Sequence, residues 1–322
     1  MSQNIPQSDC DSSVSGRRES HESLSIIVCT RNRTTKLARC LEALLAMKVE
    51  GVRWEVICVD NASTDATKET IETFAKNSHV PIRYVYERAA RLSLARNAGL
   101  SHSSGDILVF TDDDCIVDPT WLATISKEFR ADPSLAMLGG RVELNDKCDL
   151  PLAVRPYKQR AAIQPTNFFS FIGAGNMAFR RRVIDRIGMF DPRFGPGSSL
   201  LAAEDSDFAY RTLKAGFKAV YSPDVLVLHD HGRQTGQDRT NMEEAYVTGR
   251  GAFYLKHALR GDRQVMRLAL WESLQLVKGA WRSLIDRGNG GEDARLFGHL
   301  LTGACRYVRF RPGSFAADAD PN

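Results

Sequence analysis

Apolar residues recur along the first half of the chain in two alternating patterns. Residues 24–30 (LSIIVCT) form a short β-branched run that ends at polar residues, which predicts a buried parallel strand. In the next segment Leu37, Leu41, Leu44 and Leu45 fall at i, i+4, i+7 and i+8. This spacing predicts a helix over about residues 34–47 with one apolar stripe that packs on the sheet.

The same alternation continues to about residue 144. Further apolar runs at 55–60, 82–87 and 106–111 predict strands, and helical patterns fall between them. Strands and helices in this order favour an α/β fold with a mixed, mostly parallel sheet flanked by helices. Ligands of such sheets bind at the carboxyl ends of the strands, so we expect the polar residues that follow each strand to line one crevice.

The second half of the sequence is less regular. Residues 193–203 are rich in Gly, Pro and Ser and precede a helix that begins at Glu204 or Asp205, and 225–229 predict a last strand. Helical patterns return at about 241–284 and 292–309. We therefore expect a C-terminal helical extension behind the α/β part.

The amino-acid composition indicates the class of protein and its compartment. Of the 322 residues, 43% are apolar and 25% charged, which is typical of a globular protein with a sizeable core. No window approaches 18 consecutive apolar residues, which argues against a membrane-embedded polysaccharide synthase. Seven scattered cysteines without a Cys-x-x-Cys pair favour reduced thiols and a cytoplasmic location.

The expected organisation has four parts. Residues 1–22 are polar and Ser-rich and are expected to form a disordered leader, 23–232 the α/β domain, 233–311 a basic helical region and 312–322 a disordered tail. Between residues 245 and 284 apolar and basic positions interleave, which suits an interfacial helix at an anionic membrane. Packing onto the α/β domain or onto a partner is the equal alternative.

The acidic triplet Asp112, Asp113 and Asp114 directly follows the strand predicted at 106–111. Three carboxylates on one turn repel one another unless a cation offsets the charge. Their oxygen atoms suit Mg²⁺ or Mn²⁺, which typically bridge to substrate phosphates. A solvated acidic turn is the alternative interpretation of the triplet alone.

Six segments of the chain resemble, in order and spacing, the motifs of family 2 glycosyltransferases. They are VCTRNR (28–33), VDNASTD (59–65), LARNAGL (94–100), GDILVFTDDD (105–114), GAGNMAFRR (173–181) and EDSDFAYR (204–211). The resemblance covers about residues 24–232. It implies a GT-A fold with a Rossmann-like nucleotide-sugar-binding half at 23–118 and an acceptor half at 119–232, and an inverting enzyme.

The resemblance also assigns roles on the donor side of the site. It implies that Thr30 and Asp60 hold the nucleobase and that Arg96 lies near the ribose and diphosphate. Asp112 is then nearer the ribose, and Asp114 is the closer ligand of Mg²⁺ or Mn²⁺. From the residues alone, Asp60 could instead cap the helix that follows it.

On the acceptor side, the family's motif places the general base at Asp205, with Glu204 beside it in the nucleotide-sugar site. The resemblance further puts Asp113, as the middle residue of its motif, and Asn176 at the nucleotide sugar. An acidic pair at a helix start is stabilised by the helix dipole whether or not it reacts. A pair that only caps the helix is therefore the alternative for Glu204 and Asp205.

Two histidines close the last predicted strand of the α/β part. His229 and His231 are separated by one residue on an extended chain and point the same way, so either could reach a metal. Some relatives use a histidine here as a metal ligand, which favours His229, with a surface histidine as the alternative. Arg233 is placed near the diphosphate as a loop residue.

The function implied is transfer of a single sugar from a UDP-, GDP- or dTDP-sugar to the hydroxyl of a saccharide or lipid-linked acceptor, with inversion. The chain lacks the Gln-x-x-Arg-Trp motif of processive members, which favours one sugar per encounter. We expect no nucleic-acid partner and a cytoplasmic enzyme, with peripheral contact to the inner face of the membrane through its basic C-terminal helices.

Two other functions compete with this one. A nucleotidyltransferase would also need a nucleotide and a metal, but it would more naturally carry a glycine-rich loop, and VCTRNR contains no glycine. A non-catalytic nucleotide-sugar-binding protein is the other rival. The acidic residues Asp112, Asp114 and Asp205 weigh against it.

Overall fold

A computed structural model describes residues 22–285 and 291–309. Within these residues the chain forms nine strands, which are β1 (Leu24–Thr30), β2 (Trp54–Asn61), β3 (Ile82–Glu87), β4 (Ile107–Asp112), β5 (Cys115–Val117), β6 (Leu135–Leu144), β7 (Ala161–Ile163), β8 (Asn176–Arg180) and β9 (Lys218–His229). The helices of the same residues are α1 (Thr34–Leu45), α2 (Thr67–Asn77), α3 (Leu92–His102), α4 (Trp121–Ala131), α5 (Phe168–Phe171), α6 (Arg182–Ile187), α7 (Glu204–Lys214), α8 (Gly236–Ala258), α9 (Arg263–Ile285) and α10 (Gly291–Arg309).

One mixed sheet runs through the α/β part in the order β3-β2-β1-β4-β8-β6-β9-β5, with β7 paired to β9. The first four strands are parallel, as the alternating pattern predicts. Strand β8 is antiparallel to both β4 and β6. Because Thr111 pairs with Asn176, the turn that precedes β8 lies beside the carboxyl end of β4 and the acidic triplet.

Helices cover both faces of the sheet, and strand alternation divides the core between them. On β1 the side chains of Ile26 and Val28 pack with α1, α2 and α4, whereas Ile27 points to the opposite face. That second face packs against α3 and α7 and also against α8, α9 and α10. The C-terminal helices are therefore part of the core on one side of the sheet.

Buried charges join the C-terminal helices to the α/β part. The Lys256 ammonium on α8 lies 2.7 Å from Asp191 and 2.6 Å from Asp207, and the His257 ring lies 3.0 Å from Asp207. Two helices, α8 and α10, approach closely at Gly251 and Gly303, where an added Cβ would lie 1.9 Å from a carbonyl oxygen of the facing helix. Larger residues there would force these helices apart.

The single helical pattern at 241–284 is two helices in the structure. The chain turns at Gly261, whose φ of 77° favours glycine, and Asp262 accepts hydrogen bonds from the backbone N–H groups of Gln264 and Val265. Among the described residues, no helix is long and apolar enough to span a bilayer.

The expected leader and tail cannot be compared with the structure. The leader at 1–22, apart from Glu22, and the tail at 312–322 lie outside the described residues. The division into halves at residue 118 stays a prediction, because one continuous sheet runs through both halves.

Candidate active site

A cavity of about 560 Å³ opens at the carboxyl ends of β1, β2 and β4. The turn before β8, the loop before α7 and residues 242–250 of α8 form its other walls. The structure brings most of the predicted site residues to this cavity, namely Thr30, Arg96, Asp112, Asp113, Asp114, Glu204, Asp205, His229 and Arg233.

The floor of the cavity is a network between β1 and the acidic triplet. The Thr30 hydroxyl donates to Asp113 over 2.7 Å, and the Arg33 guanidinium lies 3.0 Å from the same carboxylate. Burial raises the pKa of Asp113 to about 6, although the charge of Arg33 offsets part of this effect. Asp113 thus ties the acidic turn to β1.

Asp114 is held between two cationic or hydrogen-bonding groups. Its Oδ2 lies 2.9 Å from Arg33 Nη1, and its Oδ1 lies 3.2 Å from His229 Nε2. Burial alone would raise the pKa of Asp114, but the hydrogen bond to His229 and the neighbouring positive charges hold that pKa well below its usual range. Asp114 is therefore a buried carboxylate that stays ionised.

The two histidines have different environments. Their rings lie 4.8 Å apart, as expected for alternate positions of an extended segment. His231 is occupied, because its Nδ1 accepts from the Arg233 backbone N–H over 2.9 Å and its Nε2 lies 3.1 Å from the Leu150 carbonyl oxygen. The Nδ1 atom of His229 is buried and has no hydrogen-bond partner among the described residues, and its Nε2 faces Asp114, so His229 is the histidine placed to share a metal with Asp114.

The possible metal-ligand atoms around Asp114 fit a divalent cation. Ligand atoms of Asp114, Cys115 and His229 all lie within 4.8 Å of one another. Burial holds the pKa of Cys115 well above its usual range, and cysteine sulfur suits softer metals than Mg²⁺ or Mn²⁺. Carboxylate oxygen and imidazole nitrogen are ligands that suit Mn²⁺, and Mg²⁺ prefers the oxygen atoms.

Arg96 links the acidic triplet to the start of α7. Its guanidinium lies 2.6 Å from Glu204 and 3.5 Å from Asp112, and it stacks 5.7 Å from the Phe190 ring centroid. Burial raises the pKa of Glu204, and the charge of Arg96 opposes that shift. The Asp112 side chain remains 39% exposed, so it can still meet a ligand.

The neighbouring carboxylate, Asp205, is held differently from Glu204. Its Oδ1 accepts from the Ser206 backbone N–H over 2.6 Å, and its Oδ2 accepts a longer bond, 3.3 Å, from the Ala174 N–H. No ion pair of Asp205 is found among the described residues. Asp205 is half-buried at the cavity wall, whereas Glu204 is buried behind Arg96.

The loop before α7 is fixed at several points along the cavity wall. Gly197 has a φ of 83°, and an added Cβ there would lie 2.0 Å from the Ala90 carbonyl oxygen. Leu201 and Ala203 also have positive φ, a conformation that costs free energy in residues with a Cβ. The strained backbone brings residues 201–203 to the cavity and orients the first turn of α7.

Two predicted site residues do not line the cavity. Asp60 accepts from the Ser63 backbone N–H over 2.8 Å and from the Tyr84 hydroxyl over 3.0 Å. Since successive residues of a strand point to opposite sides, it is Asn61 that reaches the cavity, and its buried Oδ1 has no hydrogen-bond partner in the described part of the chain. Asp60 instead fixes the turn after β2.

Asn176 is the second of these residues. Its Oδ1 accepts from the Trp121 indole N–H over 2.9 Å, and its Nδ2 donates to the carbonyl oxygens of Arg141 and Val225. All its polar atoms are thus bound within the protein. It joins α4, β6 and β9 and places Gly175, rather than its own amide, at the cavity.

Sequence reasoning also missed other cavity residues, among them Arg33, Tyr246 and Arg250. Arg33 lies in the first motif, and its place directly after a strand was a signal that could have identified it. Tyr246 and Arg250 come from α8, one turn apart. They had no local signal, because only the packing of α8 on the α/β part brings them to the cavity.

Comparisons with known proteins agree on one family. The Glycosyl transferase family 2 model matches residues 25–188. Glycosyltransferase AglE from Haloferax volcanii is 27% identical over 259 residues, which cover 77% of this chain and 79% of that protein. The pre-mycofactocin glycosyltransferase from Mycobacterium tuberculosis is 25% identical over 224 residues, which cover 67% of this chain but only 44% of that protein.

A solved structure has the same fold. The mannosyltransferase PcManGT from Pyrobaculum calidifontis, in complex with GDP-Man and Mn²⁺, superposes with a TM-score of 0.56 and 19% identity, covering 89% of this chain and 87% of its own. At this identity the likeness is one of fold. It confirms the GT-A fold expected from the six motifs.

Proposed function

The chain belongs to glycosyl transferase family 2 and is a glycosyltransferase, and from that premise we propose that it moves one sugar from a nucleoside-diphosphate sugar to an acceptor hydroxyl with inversion. One observation carries the proposal. A paired carboxylate and imidazole, Asp114 and His229, line the same cavity as Asp205, a carboxylate that has no ion pair within residues 22–285 and 291–309. The first pair suits the diphosphate side of a donor, and Asp205 suits an acceptor.

The nucleoside is proposed to lie against the carboxyl ends of β1 and β2. Thr30, Arg31 and Asn61 line this part of the cavity, and the unpartnered Oδ1 of Asn61 is an acceptor for a base or ribose N–H or O–H group. Asp60 would act from behind by fixing the turn that carries Asn61. UDP-, GDP- and dTDP-sugars all offer suitable donor groups.

The residues present fit a divalent cation, Mg²⁺ or Mn²⁺, held by Asp114 and His229 with Asp112 alongside. Such a cation supplies positive charge that stabilises the departing diphosphate. Arg33 and Arg96 contribute positive charge from the protein at the same end of the cavity. The cation in the PcManGT complex supports this assignment by analogy.

The chemical step is proposed as a single displacement. Asp205 Oδ2 accepts the proton of the acceptor hydroxyl while that oxygen attacks the anomeric carbon, and the bond to the diphosphate oxygen breaks with its electron pair. The configuration at the anomeric carbon inverts. Glu204 holds Arg96 in place, and the 201–203 segment excludes water from one side of the cavity.

The acceptor is proposed to enter beside α8, where Tyr246 and Arg250 line the cavity. A saccharide or lipid-linked saccharide offers the hydroxyl that Asp205 needs. We place the enzyme in the cytoplasm, with peripheral contact to the membrane through its C-terminal helices.

A thermal-shift screen tests the donor and the cation together. Nucleoside diphosphates and their sugars are added with Mn²⁺, with Mg²⁺ or with EDTA, and a ligand that binds the folded state raises the melting temperature. We expect one class of nucleotide to raise the melting temperature, and only when a metal is present. This shift should disappear in Asp114→Ala. It should remain in the control Asp224→Ala, which removes an exposed carboxylate elsewhere. Equal shifts in EDTA, or no shift by any nucleotide, would reject the proposal.

A further inference from the structure

Helix α9 has one buried side that packs on the rest of the molecule. Val265 is fully buried, and Leu268 and Leu276 pack against the core. Glu272 on the same side pairs with Arg250 over 2.7 Å and accepts from the Tyr254 hydroxyl over 2.5 Å. The inner side of α9 is thus fixed to α8, close to the cavity wall that Arg250 forms.

The opposite side of α9 exposes large apolar side chains. Met266, Leu270, Leu274, Val277 and Trp281 follow one another at spacings of four, four, three and four residues, which puts them on one stripe of the helix. Trp271 lies beside this stripe. The side chains are Met266 (42% exposed), Leu270 (61%), Trp271 (63%), Leu274 (45%), Val277 (47%) and Trp281 (65%). Such a continuous patch on a helix is unusual for a surface that faces only water.

Basic residues flank this stripe on the side of Trp271. They are exposed and comprise Arg263, Arg267, Lys278 and Arg282. Between residues 263 and 282 the only acid is Glu272, and it points inward. The outer face of α9, defined by these six apolar and four basic side chains, is therefore both apolar and purely cationic.

These properties favour a lipid surface as the occupant. Tryptophan prefers the boundary between headgroups and acyl chains, and arginine and lysine attract anionic headgroups. A second copy of the chain is disfavoured, because a symmetric contact through this face would bring its cations together without compensating acids. A helix of this kind lies along a bilayer surface.

We propose that the outer face of α9 docks on a bilayer that contains anionic lipids. Docking holds the α8 side of the cavity near the headgroups, since Glu272 and Arg250 join the two helices. The inference deepens the proposed function by placing the acceptor entrance at a membrane, but the docking itself requires neither donor nor catalysis. The two proposals can therefore fail separately.

Vesicle co-sedimentation of the full chain, without donor, tests the docking. Vesicles of phosphatidylcholine are compared with vesicles that contain about 30% phosphatidylglycerol at low and moderate salt. We expect about tenfold or tighter binding to the anionic vesicles, weakened by salt, because each basic residue at such a surface adds attraction. Brominated lipids should quench Trp271 and Trp281 but not Trp121, which is fully buried.

Three variants define which residues act. The apolar variant is Trp271→Ser with Trp281→Ser, and the basic variant replaces Arg263, Arg267, Lys278 and Arg282 with glutamine. The matched control replaces four exposed cations at other places with glutamine, namely Lys48, Arg53, Lys76 and Lys127. We expect a tenfold or larger loss of binding in the first two variants and wild-type binding in the control.

Melting curves and the donor-induced thermal shift of each variant show whether it is folded. Negligible binding of the wild type to anionic vesicles would overturn the proposal, as would undiminished binding of folded apolar and basic variants. A dimer in light scattering that the apolar variant abolishes, without vesicle binding, would assign the face to a second copy instead. A normal donor shift with failed docking would leave the glycosyltransferase proposal intact.

Discussion

Asp112–Asp114 and Glu204–Asp205 border the same cavity, yet their carboxylates are held in different ways. In the first segment every carboxylate contacts a cationic or hydrogen-bonding side chain, with Arg33, Arg96 and His229 as the partners. In the second segment Glu204 is paired with buried Arg96, but Asp205 has no ion pair among the described residues and accepts three hydrogen bonds, two of them from backbone N–H groups.

The difference indicates two chemical tasks. A segment that is surrounded by positive charge, and in which the pKa of Asp114 is held well below its usual range, suits a place where a cation and a diphosphate meet. A half-buried carboxylate without an ion pair can accept a proton from a bound hydroxyl. Mutations in the two segments should accordingly affect binding, stability and turnover separately.

The largest effect is expected for Asp205→Asn, which removes the proton acceptor from the second segment. Asparagine retains an oxygen that can accept from the Ser206 N–H, so folding should be preserved. Turnover should fall by roughly 10² to 10⁴, while donor affinity changes little. Single-turnover rates at saturating donor and acceptor, with a melting curve of the same sample, measure this. A near-wild-type rate would show that Asp205 is not the base.

Asp114→Ala should have the next largest effect, and on binding. Groups that merely orient a metal ligand contribute roughly 10- to 100-fold to metal affinity, and a direct ligand should contribute no less. Calorimetric donor affinity in Mn²⁺ should fall to the value that the wild type shows in EDTA. If wild-type affinity itself is the same in Mn²⁺ and in EDTA, the first segment is not a metal site.

Glu204→Gln should act mainly on stability, in contrast to its neighbour. Removing one partner of a buried ion pair costs about 3 to 5 kcal/mol, and Asp112 as a second partner of Arg96 keeps the expected loss near 3 kcal/mol. The melting temperature should fall by about 4 °C. Glu204→Asp, which keeps the charge, should recover part of this loss. A large loss of turnover per folded molecule without destabilisation would move the base to Glu204.

Arg33→Gln should produce the smallest effect, and it should strengthen metal binding, whereas Asp114→Ala weakens it. The guanidinium occupies the space beside Asp113 and Asp114 and competes with a cation for their oxygens, but it is 39% exposed and its ion pairs are correspondingly weak. Mn²⁺ affinity without nucleotide should therefore rise about two- to fivefold. Electron paramagnetic resonance of free Mn²⁺ measures it, with Arg83→Gln as an exposed ion-pair control. Weaker Mn²⁺ binding would contradict the competition.

Local periodicity predicted much of the fold. The strands at 24–30 and 82–87 and the start of α7 at Glu204 have the predicted bounds, because an apolar run or a helix-start signal lies within a few neighbouring residues. The break at Gly261 was missed, although Gly261 and Asp262 form a helix-stop and helix-start signal between the two apolar patterns. The antiparallel insertion of β8 between β4 and β6 was also outside the pattern, because pairing partners are far apart in sequence.

The sequence by itself determined strands β1 to β4, the order of the motifs, the acidic turn after β4 and the segment that carries the proposed base. Tertiary structure decided which neighbouring side chain reaches the cavity, as with Asn61 in place of Asp60, and it left Asp205 half-buried while Glu204 is buried behind Arg96. It also decided partners such as Arg33 with Asp114 and Arg96 with Glu204, which lie 81 and 108 residues apart. Backbone propensity and periodicity act over a few residues, whereas side-chain direction, burial and charge pairing depend on the whole sheet and the helices packed on it.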